Sequence, residues 1–186
     1  MTHSTSRGFT LVETLVVAGL GAGMLVTIAF LVLQFNNSLA YEQTASQSSG
    51  SASGVMREVE SLVVPASDVL QTHTFASATY TSTTTSLVLQ IPSVDSSGAV
   101  IANTYDYAAF YATSTSVYRL LEVNAASKRT AGTKLLSSSM RTLTFSYDNT
   151  DFTKVTTITV DLQTQAQVKQ AVLSDHRREK IRLRNF

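Results

Sequence analysis

The chain has 186 residues, which suits one domain plus an anchor and is too short for two ordinary domains. Fourteen Lys and Arg residues are balanced by thirteen Asp and Glu residues. The composition as a whole therefore gives no case for a nucleic-acid-binding protein, whose surface would be strongly basic. There is no cysteine, which excludes disulfides and thiolate metal sites.

The N-terminal region combines a short polar leader with a long apolar segment. The leader, residues 1–8, contains Arg7, and a lone carboxylate, Glu13, precedes a stretch without charge as far as Glu42. Residues 14–33 alone span about 30 Å as a helix, enough to cross a bilayer. A charged residue at the edge of a membrane helix is tolerated only with a partner or a functional role, so Glu13 needs an explanation.

Flanking charges predict the orientation of this segment. Arg7 and the amino terminus precede it, and no Lys or Arg follows until Arg57. The positive-inside tendency places the leader in the cytoplasm and everything after about residue 36 outside, as in a single-pass protein of the cytoplasmic membrane in contact with lipid. Gly19 and Gly23 have the GxxxG spacing of a close helix–helix contact, although glycine is also simply commoner in membrane helices.

Residues 36–64 can continue the same helix as an amphipathic half. Apolar side chains recur at helical spacing from Val55 to Val63 and give one apolar stripe, and Pro65 ends the segment. Residues 46–54 are rich in Ser and Gly, which is weak helix material. We favour one long helix with a weak middle, and a broken helix is the alternative.

Residues 65–186 have the sequence pattern of a β-rich domain, and we expect about four to six antiparallel strands in a meander. We expect strands at 86–91, ending at Pro92, and at 104–111, 117–121, 143–147 and 155–162. Residues 79–86 favour a loop over an edge strand. One face of the sheet needs a cover, and the helical stripe around Val59 and Leu62 can supply it. The predicted fold class is therefore α+β, with the second half of a long N-terminal helix packed on an antiparallel sheet.

The C-terminal tail is basic. It contains Arg177, Arg178, Lys180, Arg182 and Arg184. We favour a final strand in which Ile181 and Leu183 face inward and the arginines face water. A basic patch for acidic partners is the alternative.

We find no catalytic machinery in the sequence. The three histidines, His3, His73 and His176, have no metal-ligand spacing, and no nucleophile elbow or phosphate-binding loop is visible. Asp148 and Asp151 could offer oxygen ligands to calcium, but a tight turn explains them better. We expect neither enzymatic activity nor a cofactor.

Residues 8–13, Gly-Phe-Thr-Leu-Val-Glu, resemble the processing signature of type IV prepilins, a basic residue and glycine before an apolar helix. The resemblance implies that a prepilin peptidase cuts after Gly8 and methylates the new amino terminus on Phe9. It also implies that Glu13 pairs with the terminal amine of a neighbouring subunit during assembly. In this interpretation residues 9–35 form the membrane-spanning and filament-core helix of a pilin fold.

The rest of the chain is more diffusely similar to minor pilins of the W type and to J-type minor pseudopilins. The shared segments are Leu87 to Pro92, the strand around Asp106, Val117 to Leu120, Leu143 to Tyr147, and Arg182 to Asn185. Many pilins have a proline within the apolar helix, where this chain has three glycines, and the disulfide-bounded loop of many major pilins is absent.

Two functions follow as hypotheses. The first is a structural subunit, a minor pilin or pseudopilin of a type IV pilus or type II secretion-like filament. Its expected partners are other pilin subunits, a prepilin peptidase and the assembly platform of the inner membrane. It would end in a surface or periplasmic filament. The alternative is a membrane-tethered adhesin or DNA-uptake module that binds nucleic acid with the basic tail.

Overall fold

The computed structural model describes residues 10–76, 78–169 and 171–184. It contains one α-helix, α1 at Leu11–Val63, followed by ten strands. The strands are β1 Asp68–Val69, β2 Thr72–Thr74, β3 Thr79–Thr81, β4 Ser86–Val94, β5 Val100–Thr113, β6 Ser116–Glu122, β7 Gly132–Ser137, β8 Met140–Tyr147, β9 Thr157–Val168 and β10 Ala171–Arg182. A 3-10 turn at Phe152–Lys154 precedes β9. The α+β class is confirmed.

The chain divides into two compact units, Met1–Gln43 and Thr44–Phe186. In the described part of the first unit the apolar side chains of α1 are exposed. In the second unit, α1 buries Ala52, Val55, Met56, Val59 and Val63 in one core. The predicted apolar stripe is therefore confirmed, and each fully buried Val or Met side chain contributes about 1.5–3 kcal/mol.

Three antiparallel sheets replace the single predicted meander. The order is β1-β4-β5-β6-β7 in the larger sheet and β10-β9-β8 in the smaller, while β2 and β3 form a two-stranded ribbon. The expectation of four to six strands was wrong because β1, β2, β3 and β7 are short and lack an apolar alternation. The core cluster joins both main sheets, with Leu89 and Phe110 from the larger and Phe145 and Val160 from the smaller.

Two local predictions also need correction. Strand β4 continues through Pro92 to Val94, and a register shift between these two residues accommodates the proline, which has no backbone N–H to donate. Residues Thr79–Thr81, expected in a loop, form β3 and pair with β2. Hydroxyl contacts between facing threonines accompany this pairing, at 3.0 Å between Thr74 and Thr79.

The weak middle of α1 is helical throughout, and its small side chains have a packing role. The Ser48 hydroxyl lies 3.0 Å from that of Thr164 on β9, and the Ser51 hydroxyl donates to that of Ser137 on β7 at 2.8 Å. Because these side chains are short, the helix approaches both sheets closely. One long helix, the favoured alternative, is therefore confirmed.

The basic tail forms the last strand, β10, as favoured. Ile181 is buried, and so is Leu183 just beyond the strand. The strand begins at Ala171, earlier than the tail itself, and pairs with β9 over its whole length.

Candidate functional site

The first candidate site is the head of α1, where Thr10 and Glu13 form a reciprocal pair of hydrogen bonds. The Glu13 backbone N–H donates to the Thr10 hydroxyl, and the Thr10 backbone N–H donates to Glu13 Oε2, both at 3.3 Å. The Thr10 carbonyl accepts from the backbone N–H of Thr14 at 3.2 Å. This is the capping-box arrangement, in which side chains satisfy backbone N–H groups that the helix leaves free.

The capping box gives Glu13 a local role that the sequence analysis missed. The signal was present, since Thr10 and Glu13 have the spacing of Ser or Thr followed three residues later by Glu. The contacts with Thr10 use neutral donors, so they satisfy part of the hydrogen-bonding capacity of the carboxylate and leave its negative charge uncompensated.

The segment that follows has the features of a membrane span. α1 is the one described helix that is long and apolar enough to cross a membrane, and no residue of its most apolar stretch is buried. A Cβ added at Gly19, Gly21 or Gly23 would meet no atom within 4 Å. The surface of α1 is therefore open at these three glycines, which suits a close contact with another helix.

Gly8 and Phe9, the predicted processing residues, lie outside the described part of the chain. The structure therefore gives the position of Glu13 alone among the three predicted site residues.

A second cluster of charges surrounds Asp106, whose side chain is fully buried. Its carboxylate accepts hydrogen bonds from the Ser93 hydroxyl at 2.8 Å, the Asn124 backbone N–H at 2.9 Å and the Ser127 hydroxyl at 2.7 Å. Arg129 forms an ion pair with it at 2.7 Å and also donates to the Pro92 carbonyl. Asp106 thus holds the loop between β6 and β7 against the end of β4.

The environment of Asp106 explains its acidity. Burial alone would raise its pKa, but the hydrogen bonds from Ser127, Asn124, Arg129 and Ser93 outweigh burial and lower it below the usual 3.8. The alternation of β5 places Asp106 on the side of the main core and its neighbours Tyr105 and Tyr107 on the opposite face of the sheet. A carboxylate at an inward position was a usable sequence signal for a buried polar cluster.

A third charged cluster links α1 to the larger sheet within the second unit. Glu58 accepts from Arg119 on β6 and from Lys134 on β7, the latter at 2.9 Å. Burial would raise the pKa of Glu58, but the hydrogen bond from Lys134 and the charges of Arg119 and Lys134 lower it. These contacts position the helix on the sheet rather than form a reactive centre.

The other titratable residues singled out in the sequence do not converge. Asp148 accepts from the Thr156 backbone N–H at 3.0 Å, and Asp151 accepts from the Thr153 backbone N–H at 3.1 Å, so both cap the turn before β9 as favoured. His73 stacks on Tyr107, with ring centroids 3.9 Å apart, and His176 pairs with Asp161. Across residues 10–76, 78–169 and 171–184, no three His, Cys, Asp or Glu side chains are grouped to hold a metal ion.

Comparison with known proteins adds no relative. No protein-family model, curated protein or solved structure matches the chain.

We predict that Asp106→Asn destabilises the protein by about 2–4 kcal/mol at neutral pH, because it leaves Arg129 without its charged partner. Since the pKa of Asp106 is lowered in the folded state, its contribution is complete above the unfolded value of 3.8. The contribution disappears as the pH falls through the folded pKa, so the difference from the wild type should shrink in acid. Urea unfolding of the full chain in neutral detergent, followed by tyrosine fluorescence at a series of pH values, measures this.

Glu179→Gln is the control for Asp106→Asn, because Glu179 is an exposed acidic residue on β10. It should change the free energy of unfolding by less than about 0.5 kcal/mol. An Asp106→Asn effect of equal size at acid and neutral pH would contradict the assigned role of the carboxylate.

Proposed function

We propose that the chain is a structural subunit of a type IV pilus-like or type II secretion-like filament, made as a single-pass membrane precursor and processed after Gly8. The observation that carries the proposal is the prepilin-like signature of residues 8–13 directly before an exposed apolar helix headed by a carboxylate. A helix of this kind has two environments that suit it, lipid and the interior of a helical filament. In this proposal the helix leaves the lipid and enters the interior of the filament when the subunit is assembled.

Cleavage after Gly8 supplies the missing positive charge. It creates an α-amine on Phe9, which carries a positive charge at neutral pH, four residues before Glu13. In a low-dielectric filament core, the attraction between this amine and the Glu13 carboxylate of a neighbouring subunit is little screened. The uncompensated charge of Glu13 thereby becomes an assembly contact.

The hydrogen bonds at the head of α1 are compatible with a pairing between Glu13 and the amine of a neighbouring subunit. Glu13 bonds the Thr10 N–H and hydroxyl at 3.3 Å, which is long for such bonds. A carboxylate has two oxygens and about four acceptor positions, so it can keep the cap of its own helix while it accepts from a neighbouring amine. The open surface at Gly19 and Gly23 would let a neighbouring helix approach as lipid is replaced.

The second unit supplies the extracytoplasmic part of the proposed subunit. Its helical half is fixed to both sheets by the core and to the larger sheet by the Glu58 contacts, so the sheets and this half of α1 form one body. The expected partners are other pilin or pseudopilin subunits, the prepilin peptidase and the membrane platform that extracts the subunit from lipid.

We predict that Gly8→Leu blocks processing, since a bulky side chain would occupy the place of a residue without one beside the bond to be cut. Intact mass spectrometry of the chain after co-expression with a prepilin peptidase should find the precursor for this variant and a product beginning at Phe9 for the wild type. Gly21→Leu, an equal change within α1, should be processed normally. Processing of Gly8→Leu at the wild-type rate would refute this assignment.

A set of variants separates the charge of Glu13 from its capping role. Glu13→Gln can still accept from the Thr10 N–H but has no charge, whereas Thr10→Ala removes the cap at a cost of about 1 kcal/mol and keeps the charge. We expect Glu13→Gln and Glu13→Val to insert into the membrane but to be lost from filaments. Thr10→Ala should retain most of its incorporation.

Immunolabelling of sheared filaments, with membrane fractions as the loading control, measures this incorporation. Normal incorporation of Glu13→Gln would show that the cap, and not the charge, is what assembly needs.

A further inference from the structure

Strand β10 presents a row of cations on the face of the smaller sheet that points away from the core. Arg178, Lys180 and Arg182 are exposed, while Ile181 between them is buried. Alternate side chains of a strand lie on the same face, about 7 Å apart. The three residues therefore form a basic row about 14 Å long.

On the opposite face of the same strand, basic and acidic side chains balance each other. Arg177 pairs with Asp175 at 3.1 Å and donates to the Ser49 hydroxyl of α1 at 3.1 Å. Glu179 lies on this face too, and with Arg57, Glu60 and Arg177 it lines a small cleft. The basic residues of the tail are thus not one patch, because β10 places Arg177 on one face and the basic row on the other, and Arg184 lies beyond the strand.

The charges of the basic row form no such ion pairs within the described chain. Within the described chain, Arg178, Lys180 and Arg182 have no acidic partner within 4.0 Å. The one acidic side chain on this face of the three strands is Asp161, which lies opposite Arg178 and contacts His176 at 2.9 Å. The face therefore has a local positive excess that the near-zero net charge of the whole chain conceals.

The neighbouring strands extend the basic row into a wider polar surface. By register, the residues beside it on β9 and β8 bear hydroxyl, amide or carboxylate groups: Thr157, Thr159, Asp161, Gln163, Thr142, Thr144 and Ser146. Among these described residues there is no aromatic side chain. Hydroxyls and amides are common donors to phosphate oxygens.

We propose that this face binds the phosphate backbone of double-stranded DNA without regard to sequence. Duplex DNA carries one phosphate per 3.4 Å on each strand, so cations about 7 Å apart can each reach a separate phosphate. Single-stranded binding surfaces use aromatic side chains on which bases stack, and the described residues of this face include no Phe, Tyr or Trp, while His176 is paired with Asp161. The proposal goes beyond the filament function and does not depend on it.

Fluorescence anisotropy of a labelled duplex with the purified full chain in neutral detergent tests the proposal. Three phosphate contacts predict a slope of log affinity against log salt near −2.7, or about a 40-fold loss between roughly 50 and 200 mM NaCl. Each of Arg178→Gln, Lys180→Gln and Arg182→Gln should reduce that loss to about 12-fold, and the triple variant should abolish binding.

Controls make the outcome specific to this face. Lys128→Gln removes an exposed cation from the β6–β7 loop and should leave affinity and salt slope unchanged. Circular dichroism and thermal unfolding should show that every variant keeps its fold. Retained salt-dependent binding by the triple variant, or no binding by the wild type at low salt, would overturn the proposal.

Two competitors decide the ligand class. Unlabelled duplex should displace the probe more effectively than single-stranded DNA or polyglutamate at equal charge. Equal displacement by polyglutamate would assign the face to an acidic protein partner, and preferential displacement by single strands would assign it to unpaired nucleic acid. Either result would overturn the proposal.

Discussion

The proposed assembly of this chain depends on the negative charge of Glu13 at the head of an apolar segment. Thr10 satisfies part of its hydrogen-bonding capacity, but two neutral donors do not neutralise a carboxylate. After Glu13 no charged residue occurs before Glu42, so the apolar segment itself offers no counter-charge, and Arg7 belongs to the leader that processing would remove. A positive group from outside the segment is the simplest compensation, and cleavage after Gly8 would create one on Phe9.

The second unit depends on a different constraint, the joint burial of one helical stripe by two sheets. Val55 and Val59 share a core with Phe110 of the larger sheet and Phe145 of the smaller. Because the helix supplies the surface on which both sheets close, neither sheet has to bury its inner face alone. The Glu58 ion pairs and the Asp106 cluster then hold the helix and the β6–β7 loop in position around that core.

Much of the architecture was predictable because it depends on periodicity. The apolar stripe around Val59 and the alternation of Phe145 and Tyr147 indicated a helix packed on antiparallel strands, and both are present. The ribbon containing Thr79 was missed because it is held by backbone pairing and hydroxyl contacts, which leave no apolar pattern. The division of the basic side chains between the two faces of β10 could be seen only from the register of the strand. Composition cannot show on which side of a strand a charge lies. The processing site rests on the sequence signature alone, because Gly8 and Phe9 lie outside the described residues.

The most direct measurement is a zero-length carbodiimide cross-link on assembled filaments that contain this chain, analysed by mass spectrometry. A carbodiimide joins a carboxylate to an amine only where the two are in contact, so it reports the proposed pairing itself. We expect a peptide that links Glu13 to the terminal amine of another subunit, with isotope labelling of one chain to show that the link is between chains. Filaments in which Glu13 forms no link to another chain and instead reacts freely with an added small amine would contradict it.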